Sequence, residues 1–304
     1  MSVLSRPEFH DEEAAYAYVE ARVWANGRVC PHCGVIAKSG KLGGKSTRIG
    51  TYKCYACRKP FTVKIGTIFE ASHVPMNLWL QAIYLMCASK KGISSNQLHR
   101  TLGVTLKTAW FMSHRIREAM RDDSIRAFGN GGGVVEVDET FIGREPGKEV
   151  KRGIGHKMKV LTLVDRTTGK AKSIVVDDLK IKTLLPILKA NIAAEATVYT
   201  DEAMQYDNLG KHFALHDSVN HGAEEYVRGD VTTNTVEGYF SIFKRGMKGV
   251  YQHCGKRHLH RYVAEFAFRY SNRAALNVSD AQRADMALQS IVGRRLTYAA
   301  GAGK

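Results

Sequence analysis

The sequence predicts a protein of several domains, with a cysteine-containing module and a helical segment in front of a mixed α/β domain. Three observations lead to this fold class. Four cysteines stand as two C-x2-C pairs between residues 30 and 57. Apolar residues then recur at helical spacing until a run of glycines at 129–133. Behind the glycines, strand-like segments alternate with a helix, which indicates a mixed sheet covered by helices.

The composition indicates a globular protein with a polyanionic partner. The 304 residues are 44% apolar, which is ample for a hydrophobic core. The formal net charge at pH 7 is +16, and such an excess favours nucleic acid because each neutralised phosphate releases condensed counterions. The most apolar stretch, at 78–88, is too short for a membrane span of about 20 residues, and the N-terminus has no apolar signal core. We therefore expect a cytoplasmic protein without membrane contact, in which cysteines stay reduced.

The first element of the chain is predicted to be a helix. Residues 7–24 carry apolar side chains at helical spacing, and the Asn-Gly pair that follows is a typical helix stop. We place an N-terminal helix at 1–28 and the cysteine module at 29–69.

The spacing of the cysteines predicts a metal site. Cys30 and Cys33 form one C-x2-C pair, and Cys54 and Cys57 form the other. Each pair fits a tight turn that points two thiolates at one ion, and two such turns supply the four ligands of tetrahedral Zn²⁺. Four unrelated buried thiols would not require this spacing, and a redox pair is disfavoured because neither pair opens a βαβ unit. Since all four ligand positions are filled, we predict a structural zinc ion.

The cysteine module is strongly basic. No Asp or Glu occurs between Glu20 and Glu70, whereas ten Lys or Arg residues do. A solvated surface normally mixes both signs, so we predict that the module contacts phosphate through Lys53, Arg58 and Lys59. A basic face without a partner is the alternative.

Three helices are predicted in a domain at 70–128. They cover 77–89, 94–102 and 105–122, with Thr105 as the cap of the third and Gly103 in the short turn before it. The second and third match a helix-turn-helix, whose second helix enters the major groove of DNA. An ordinary three-helix bundle is the alternative. In the helix-turn-helix interpretation, three basic residues of the third helix contact DNA: Lys107, Arg115 and Arg117.

A mixed sheet is predicted behind the glycine linker at 129–133, in a domain at 134–275. Strands fit 134–143, 159–166, 172–178 and 196–202, and a Thr-Thr-Gly turn joins the second to the third. A helix lies between the third and fourth strands, and residues 234–272 are helical again. We expect a C-terminal tail at 276–304, with its last six residues frayed.

Three carboxylates of this domain are placed as a metal site requires. Asp138 lies in an apolar strand, Asp201 ends another strand, and Glu237 is early in an amphipathic helix. A carboxylate in an apolar strand is costly unless it is paired or bound to metal, and open α/β sheets place their sites at strand ends. Together the three acids could bind two Mg²⁺ or Mn²⁺ ions about 4 Å apart for displacement at phosphorus. Each acid alone has an ordinary structural explanation, because acids are common at helix N-termini and strand ends.

Neighbouring side chains remain open as additional ligands. Asp138 is preferred over Glu139 because a period of two places Asp138 on the inward face of its strand. Glu136 shares that face and is a second candidate. Asn234 lies one helical turn before Glu237, and either could face the metals, although only Glu237 brings charge.

Several motifs in this order resemble the DDE insertion-sequence transposases of the ISXO type. They are CPHCG, CYACRKPFTVKIGTIFE, EVDETFIG, YTDEAMQY, HGAEEYVRGDVTTNTVEGYFSIFKRGMKGVY and RYVAEFAFRYSNR, within residues 9–273. The resemblance implies an N-terminal zinc ribbon and helix-turn-helix, followed by an RNase H-like catalytic domain with a mixed sheet. By the same match, Asp138, Asp201 and Glu237 are the metal-binding triad. Lys244 matches the basic residue that often follows the glutamate, two helical turns along the same face.

The resemblance also implies a function. The protein would bind the terminal inverted repeats of an insertion sequence, cleave double-stranded DNA at its ends and transfer the ends to target DNA. Lys244, Arg245 and Lys248 directly follow the glutamate and would hold phosphates near the metals. Because two ends must be brought together, we expect a homodimer or a larger assembly on DNA, in the bacterial cytoplasm at the nucleoid.

Two other functions remain open at the level of sequence. A non-enzymatic DNA-binding regulator derived from a transposase would need the front modules but not the acids, and all three acids are present. An RNase H-like nuclease that cuts without joining would need the acids but would give no strand-transfer product.

Overall fold

A computed structural model describes residues 2–123, 127–150, 152–206, 208–219, 225 and 227–297. The chain divides into two compact units. Unit 1 consists of Met1–Ser89, Ile93–Met120 and Val278–Lys304, and unit 2 consists of Lys90–Gly92 and Arg121–Asn277. The six terminal residues that we expect to be frayed lie outside the described residues.

The cysteine module of unit 1 is a small antiparallel sheet. Its strands, in spatial order, are β1 (Ser39–Lys41), β2 (Tyr52–Cys54) and β3 (Pro60–Phe61). Tyr52 and Phe61 are buried, and the ring of Trp24 packs edge-on against both of their rings. So small a core buries little apolar area, and modules of this size usually need a metal or disulfide cross-link to be stable.

Helices form the rest of unit 1. They are α1 (Glu12–Val23), α2 (Met76–Ala88), α3 (Ser95–Leu102), α4 (Leu106–Ala119) and α8 (Asp280–Gln289). α2 is the central helix, since Trp79, Ile83 and Met86 are buried and the helix packs against α1, α4 and α8. Thr105 caps α4 by accepting a hydrogen bond from the Thr108 N–H, and Gly103 ends α3 in a left-handed conformation. The predicted helices and turn are therefore present, while a DNA-binding role for them remains a prediction.

The segment predicted as a C-terminal tail contains helix α8. Ser279 and Gln282 form a reciprocal capping box at its start. Arg283 is buried and donates from Nη1 to the Cys87 carbonyl oxygen at 2.7 Å. The amphipathic face of α8 thus belongs to the core of unit 1.

Unit 2 is built on a mixed five-stranded sheet. In spatial order its strands are β6 (Ala171–Val176), β5 (Met158–Asp165), β4 (Val134–Ile142), β7 (Thr197–Asp201) and β8 (Leu215–Val219). β5 pairs antiparallel with both β4 and β6, whereas β7 runs parallel to both β4 and β8. β4 is therefore the middle strand. This confirms the predicted mixed α/β domain, with three antiparallel strands followed by two parallel ones as in RNase H-like folds.

Helices cover both faces of this sheet. On one face, α5 (Ile181–Asn191) packs on Val135 and Val137 of β4. On the other face lie α6 (Asn234–Gly246), which continues into a π-helical turn at Met247–Tyr251, and α7 (Lys256–Ser271). A hairpin of β9 (Val227–Arg228) and β10 (Val231–Thr232) leads into α6. Within the described part of the chain, no helix has the length and apolar character needed to cross a membrane.

The strand register brings two predicted acids together. Glu136 of β4 pairs with Tyr199 of β7 in parallel. Since both strands advance by the same rise in the same direction, Asp138 and Asp201, each two residues farther on, lie side by side on the same face.

Candidate metal centres

The four predicted cysteine ligands converge in the small sheet of unit 1. The sulfur atoms of Cys30, Cys33, Cys54 and Cys57 all lie within 4.8 Å of one another. The Cys30–Cys57 and Cys33–Cys54 sulfur pairs are each separated by 3.7 Å. Four Zn–S bonds of about 2.3 Å in a tetrahedron place the sulfurs about 3.8 Å apart, so the cluster has the dimensions of a metal site.

A backbone group of the knuckle prepares the Cys54 sulfur for a metal. The Cys57 N–H donates to Cys54 Sγ at 3.5 Å. This hydrogen bond is the main cause that lowers the pKa of the Cys54 thiol to about 7. Because the thiolate is the metal-binding form, the lowered pKa favours ion binding at neutral pH.

A second cluster lies in unit 2, where β7 ends beside the middle of β4. Asp138, Glu139 and Asp201 each offer a carboxylate oxygen, and these oxygens lie within 4.8 Å of one another. Asp138 and Asp201 were predicted to face each other, whereas Glu139 was set aside because successive strand residues point to opposite faces. The structure brings all three together, because Glu139 reaches the cluster from the other face of β4.

The position of Glu139 is set by residues that follow Asp201. Gln205 Nε2 donates to Glu139 Oε1 at 3.0 Å. The buried phenol of Tyr206 lies beside Glu139, whose charge, after burial, raises the pKa of Tyr206 well above its usual value. Gln205 and Tyr206 stand in the motif YTDEAMQY, but the motif alone does not show that they contact Glu139.

The electrostatics of the cluster favour a bound cation. Burial, and then the charge of Asp201, raise the pKa of Asp138 to about 8. Burial also raises the pKa of Glu139. Carboxylates this close cannot all be ionised at neutral pH unless positive charge is added. Oxygen donors of this kind suit hard divalent cations such as Mg²⁺ or Mn²⁺.

Glu237 lies beside this cluster, on α6. Its charge contributes to the raised pKa of Asp138, and Thr233 Oγ1 donates to Glu237 Oε1 at 3.2 Å. Asn234, Glu237 and Lys244 are all exposed, and the Lys244 ammonium lies 5.8 Å from the centre of the Phe240 ring. Glu136, by contrast, is fully buried, and its carboxylate accepts hydrogen bonds from Arg166 and from the start of α6.

Two residues predicted to contact DNA are buried, and this corrects the prediction. Arg115 is 5% exposed, and its guanidinium donates to the carbonyl oxygens of Ile68, Glu70 and Leu296. Arg117 is 1% exposed and donates to Ser113 Oγ at 3.0 Å. Long basic side chains on an amphipathic helix can satisfy inward carbonyl groups, and from there neither guanidinium reaches a phosphate.

The other predicted DNA contacts have accessible side chains. Lys53 is half-buried, while the remaining six are exposed: Arg58, Lys59, Lys107, Lys244, Arg245 and Lys248.

Comparisons with known proteins identify both parts of the chain. The family model of the ISXO2-like transposase domain matches residues 131–271, and that of the transposase zinc-ribbon domain matches residues 10–60. A protein of transposable element ISH50 from Halobacterium salinarum is 31% identical over 263 residues, 81% of this chain and 86% of its own length. A transposase-like protein from Haemophilus influenzae is 26% identical over 103 residues, 34% of this chain and 82% of its own.

A solved structure shows a weaker likeness. It is a chain of the simian T-cell lymphotropic virus intasome in complex with PP2A regulatory subunit B56 gamma, at 12% identity and a TM-score of 0.28. The alignment covers 56% of this chain and 63% of that one.

Replacing Cys54 and Cys57 by Ser is expected to abolish metal binding by the cysteine module. The wild-type chain should hold one zinc ion, measured by atomic emission after gel filtration, and the double variant none. Cys254→Ser is the matched control, because Cys254 stands outside the cluster. Unchanged zinc content in the double variant would refute the assignment.

The raised pKa of Asp138 predicts a pH-dependent stability. The folded protein retains a proton up to pH about 8, whereas the unfolded chain loses it near the ordinary pKa of 3.8. The free energy of unfolding should therefore fall as pH rises through this window in magnesium-free buffer that retains zinc. Asp138→Asn should flatten the profile, measured by urea unfolding.

Asp178→Asn is the control, because hydrogen bonds lower the pKa of this carboxyl instead. The Asp178→Asn variant should still show the fall in the free energy of unfolding between pH 4 and 8. A wild-type profile that is flat or rising over this window would contradict the assignment.

Proposed function

Because the chain belongs to the ISXO2-like transposases, we propose that it binds the terminal inverted repeats of an insertion sequence and catalyses metal-dependent DNA cleavage and strand transfer. The observation that carries this proposal is the cluster of Asp138, Glu139 and Asp201, where β7 ends beside the middle of its parallel neighbour β4, with Glu237 beside it. Clustered carboxylates are what phosphoryl transfer with two divalent metals requires.

In this proposal Asp138, Asp201 and Glu237 hold two Mg²⁺ or Mn²⁺ ions, and Glu139 lies within reach as a further carboxylate. The bound ions supply a Lewis acid that activates the attacking oxygen and neutralises charge developing at phosphorus. Water would cleave a phosphodiester at each element end. The 3′-OH released there would then attack a phosphodiester of the target DNA and displace the 3′-oxygen of the target strand, which leaves as a 3′-OH. No protein nucleophile is needed, so no covalent protein–DNA intermediate forms.

The exposed basic side chains are proposed to position the DNA. Lys244, Arg245 and Lys248 follow Glu237 on α6 and its π-helical continuation, so they would hold phosphates close to the carboxylates. The zinc-loaded ribbon, with Lys53, Arg58 and Lys59, would bind the element ends, together with Lys107 of α4. We propose that a homodimer or larger assembly joins two ends, in the cytoplasm at the bacterial nucleoid.

Neutralising any one proposed metal ligand should abolish cleavage and leave DNA binding intact. Asp138→Asn, Asp201→Asn and Glu237→Gln should each lose cleavage of a plasmid carrying the element ends in Mg²⁺, while gel-shift affinity for the ends stays near wild type. Glu202→Gln, next to Asp201 and exposed, is the matched control and should cleave.

The outcome separates the candidate functions. Normal Mg²⁺-dependent cleavage by one of the three variants would remove that residue from the triad. Cleavage by the wild type without strand-transfer products would indicate a nuclease, and end binding without cleavage would indicate a regulator.

Removing basic residues of the ribbon should weaken DNA binding in a salt-dependent manner. For Arg58→Ala and Lys59→Ala, the slope of log K against log salt concentration should fall by about 1 for each phosphate that the variant no longer neutralises. Fluorescence anisotropy with an end-sequence duplex measures it. Lys189→Ala is the control, because Lys189 is exposed on α5, on the sheet face opposite α6. Equal slopes for ribbon variants and wild type would exclude a phosphate contact there.

A further inference from the structure

Glu136 is a fully buried acid on the middle strand of unit 2. Its side chain is 0% exposed, and it lies on β4 two residues before Asp138, on the same face of the strand. An ionised carboxylate in such a position is strongly destabilising unless ion pairing and hydrogen bonds compensate for its lost hydration. The hydrogen-bond and ion-pair partners of Glu136 therefore indicate its role in the structure.

The carboxylate of Glu136 caps helix α6 from a distant part of the chain. Its Oε2 accepts the Val236 N–H at 2.9 Å, and its Oε1 accepts the Thr235 hydroxyl at 2.7 Å. The first N–H groups of a helix have no partner within the helix, and negative charge is favourable there. Thr233, at the N-cap position, makes no such capping bond, so Glu136 takes over this role.

The same carboxylate binds a guanidinium that holds the segment leading into α6. Arg166 Nε donates to Glu136 Oε1 at 2.5 Å. The two remaining nitrogens of Arg166 donate to the carbonyl oxygens of Asp230 and Thr232, each at 2.8 Å. Arg166 itself follows β5, and its N–H donates to the Val134 carbonyl oxygen at 2.9 Å. We call Glu136, Arg166 and Thr235 the Glu136 clamp.

The residues held by the clamp lie directly beside Glu237, the acid that α6 contributes. Glu237 directly follows Val236, whose N–H the clamp holds. Thr233, which directly follows the clamped Thr232 carbonyl, donates its hydroxyl to Glu237 Oε1. The backbone that carries Glu237 and its hydrogen-bond donor is thus tied to β4, the strand that carries Asp138.

From these contacts we propose that Glu136 and Arg166 are positioning residues, which hold Glu237 on α6 in register with Asp138 and Asp201 for divalent-cation binding. The proposal rests on the metal-binding role proposed for those three acids. Asp138 and Asp201 are aligned by strand pairing alone, whereas Glu237 lies on a helix outside the sheet. Glu136 joins β4 to the first turn of α6 by direct hydrogen bonds.

The same unit contains a matched control for a purely structural role. Glu265 on α7 is also 0% exposed and is paired with the buried Arg269 one helical turn later. Glu265 also accepts a hydrogen bond from the Tyr251 hydroxyl. Neutralising Glu265 removes a buried ion pair of the same kind without touching the start of α6.

The experiment compares divalent-cation binding with stability in the full-length, zinc-loaded protein. Kd for Mn²⁺ is measured from the electron paramagnetic resonance signal of the free ion, and Tm from thermal unfolding. Glu136→Gln should raise Kd about 10- to 100-fold, the usual cost of losing a hydrogen-bond partner that orients a metal site. Glu265→Gln should lower Tm and leave Kd unchanged. Raised Mg²⁺ should restore cleavage by the Glu136 variant.

The outcomes that contradict the proposal are distinct. Wild-type Kd in Glu136→Gln, or an equal rise in Glu265→Gln, would show that the clamp only stabilises the fold. If Glu136→Gln does not fold, Thr235→Val removes one hydrogen bond to Glu136 and keeps the ion pair; wild-type Kd there would likewise overturn the proposal. Asp138→Asn tests the underlying site: if it binds Mn²⁺ as the wild type does, the proposed metal site itself fails.

Discussion

The parallel pairing of β4 with β7 is the interaction on which the candidate catalytic centre depends. If Glu136 were paired with Tyr199 in an antiparallel register, Asp201 would lie beside Val134 and not beside Asp138. The parallel register instead runs both strands in one direction and places Asp138 next to Asp201. The crossover through α5 makes this direction possible, because it carries the chain from the end of β6 back to the end of the sheet at which β4 begins.

This arrangement concentrates negative charge in a protein that is basic overall. Burial, and then repulsion by the neighbouring carboxylates, raises the pKa of Asp138. The same repulsion is what a divalent cation removes on binding, so a strained acidic cluster is also a preorganised cation site. Around it, the chain places compensating charge in specific pairs, such as Arg166 with Glu136, and leaves Lys244 and Arg245 exposed.

The cysteine module differs from unit 2 in the size of its core and in the kind of metal ligand that it carries. Its sheet has three strands of two or three residues and a core formed mainly by three aromatic rings, too little to hold a fold by burial alone. Four soft sulfur ligands supply the missing cross-link, while the hard oxygen ligands of unit 2 suit an exchangeable divalent cation. The two clusters therefore differ in ligand type: the sulfur ligands suit a structural zinc ion, and the oxygen ligands suit an exchangeable divalent cation.

The sequence by itself determined the four cysteines, the helices α1 to α4 and the strands bearing Asp138 and Asp201, because spacing and periodicity are local properties of the chain. Tertiary structure decided the rest. Glu139 joins the acidic cluster because Gln205 and Tyr206 follow the neighbouring strand, and periodicity along one strand cannot show that. Arg115 and Arg117 turn inward because other segments of unit 1 cover their helix. Glu136 becomes a helix cap because α6, about a hundred residues later, packs its N-terminus onto β4. Burial and hydrogen bonding between distant segments are set by packing, and packing has no signature in the local sequence pattern.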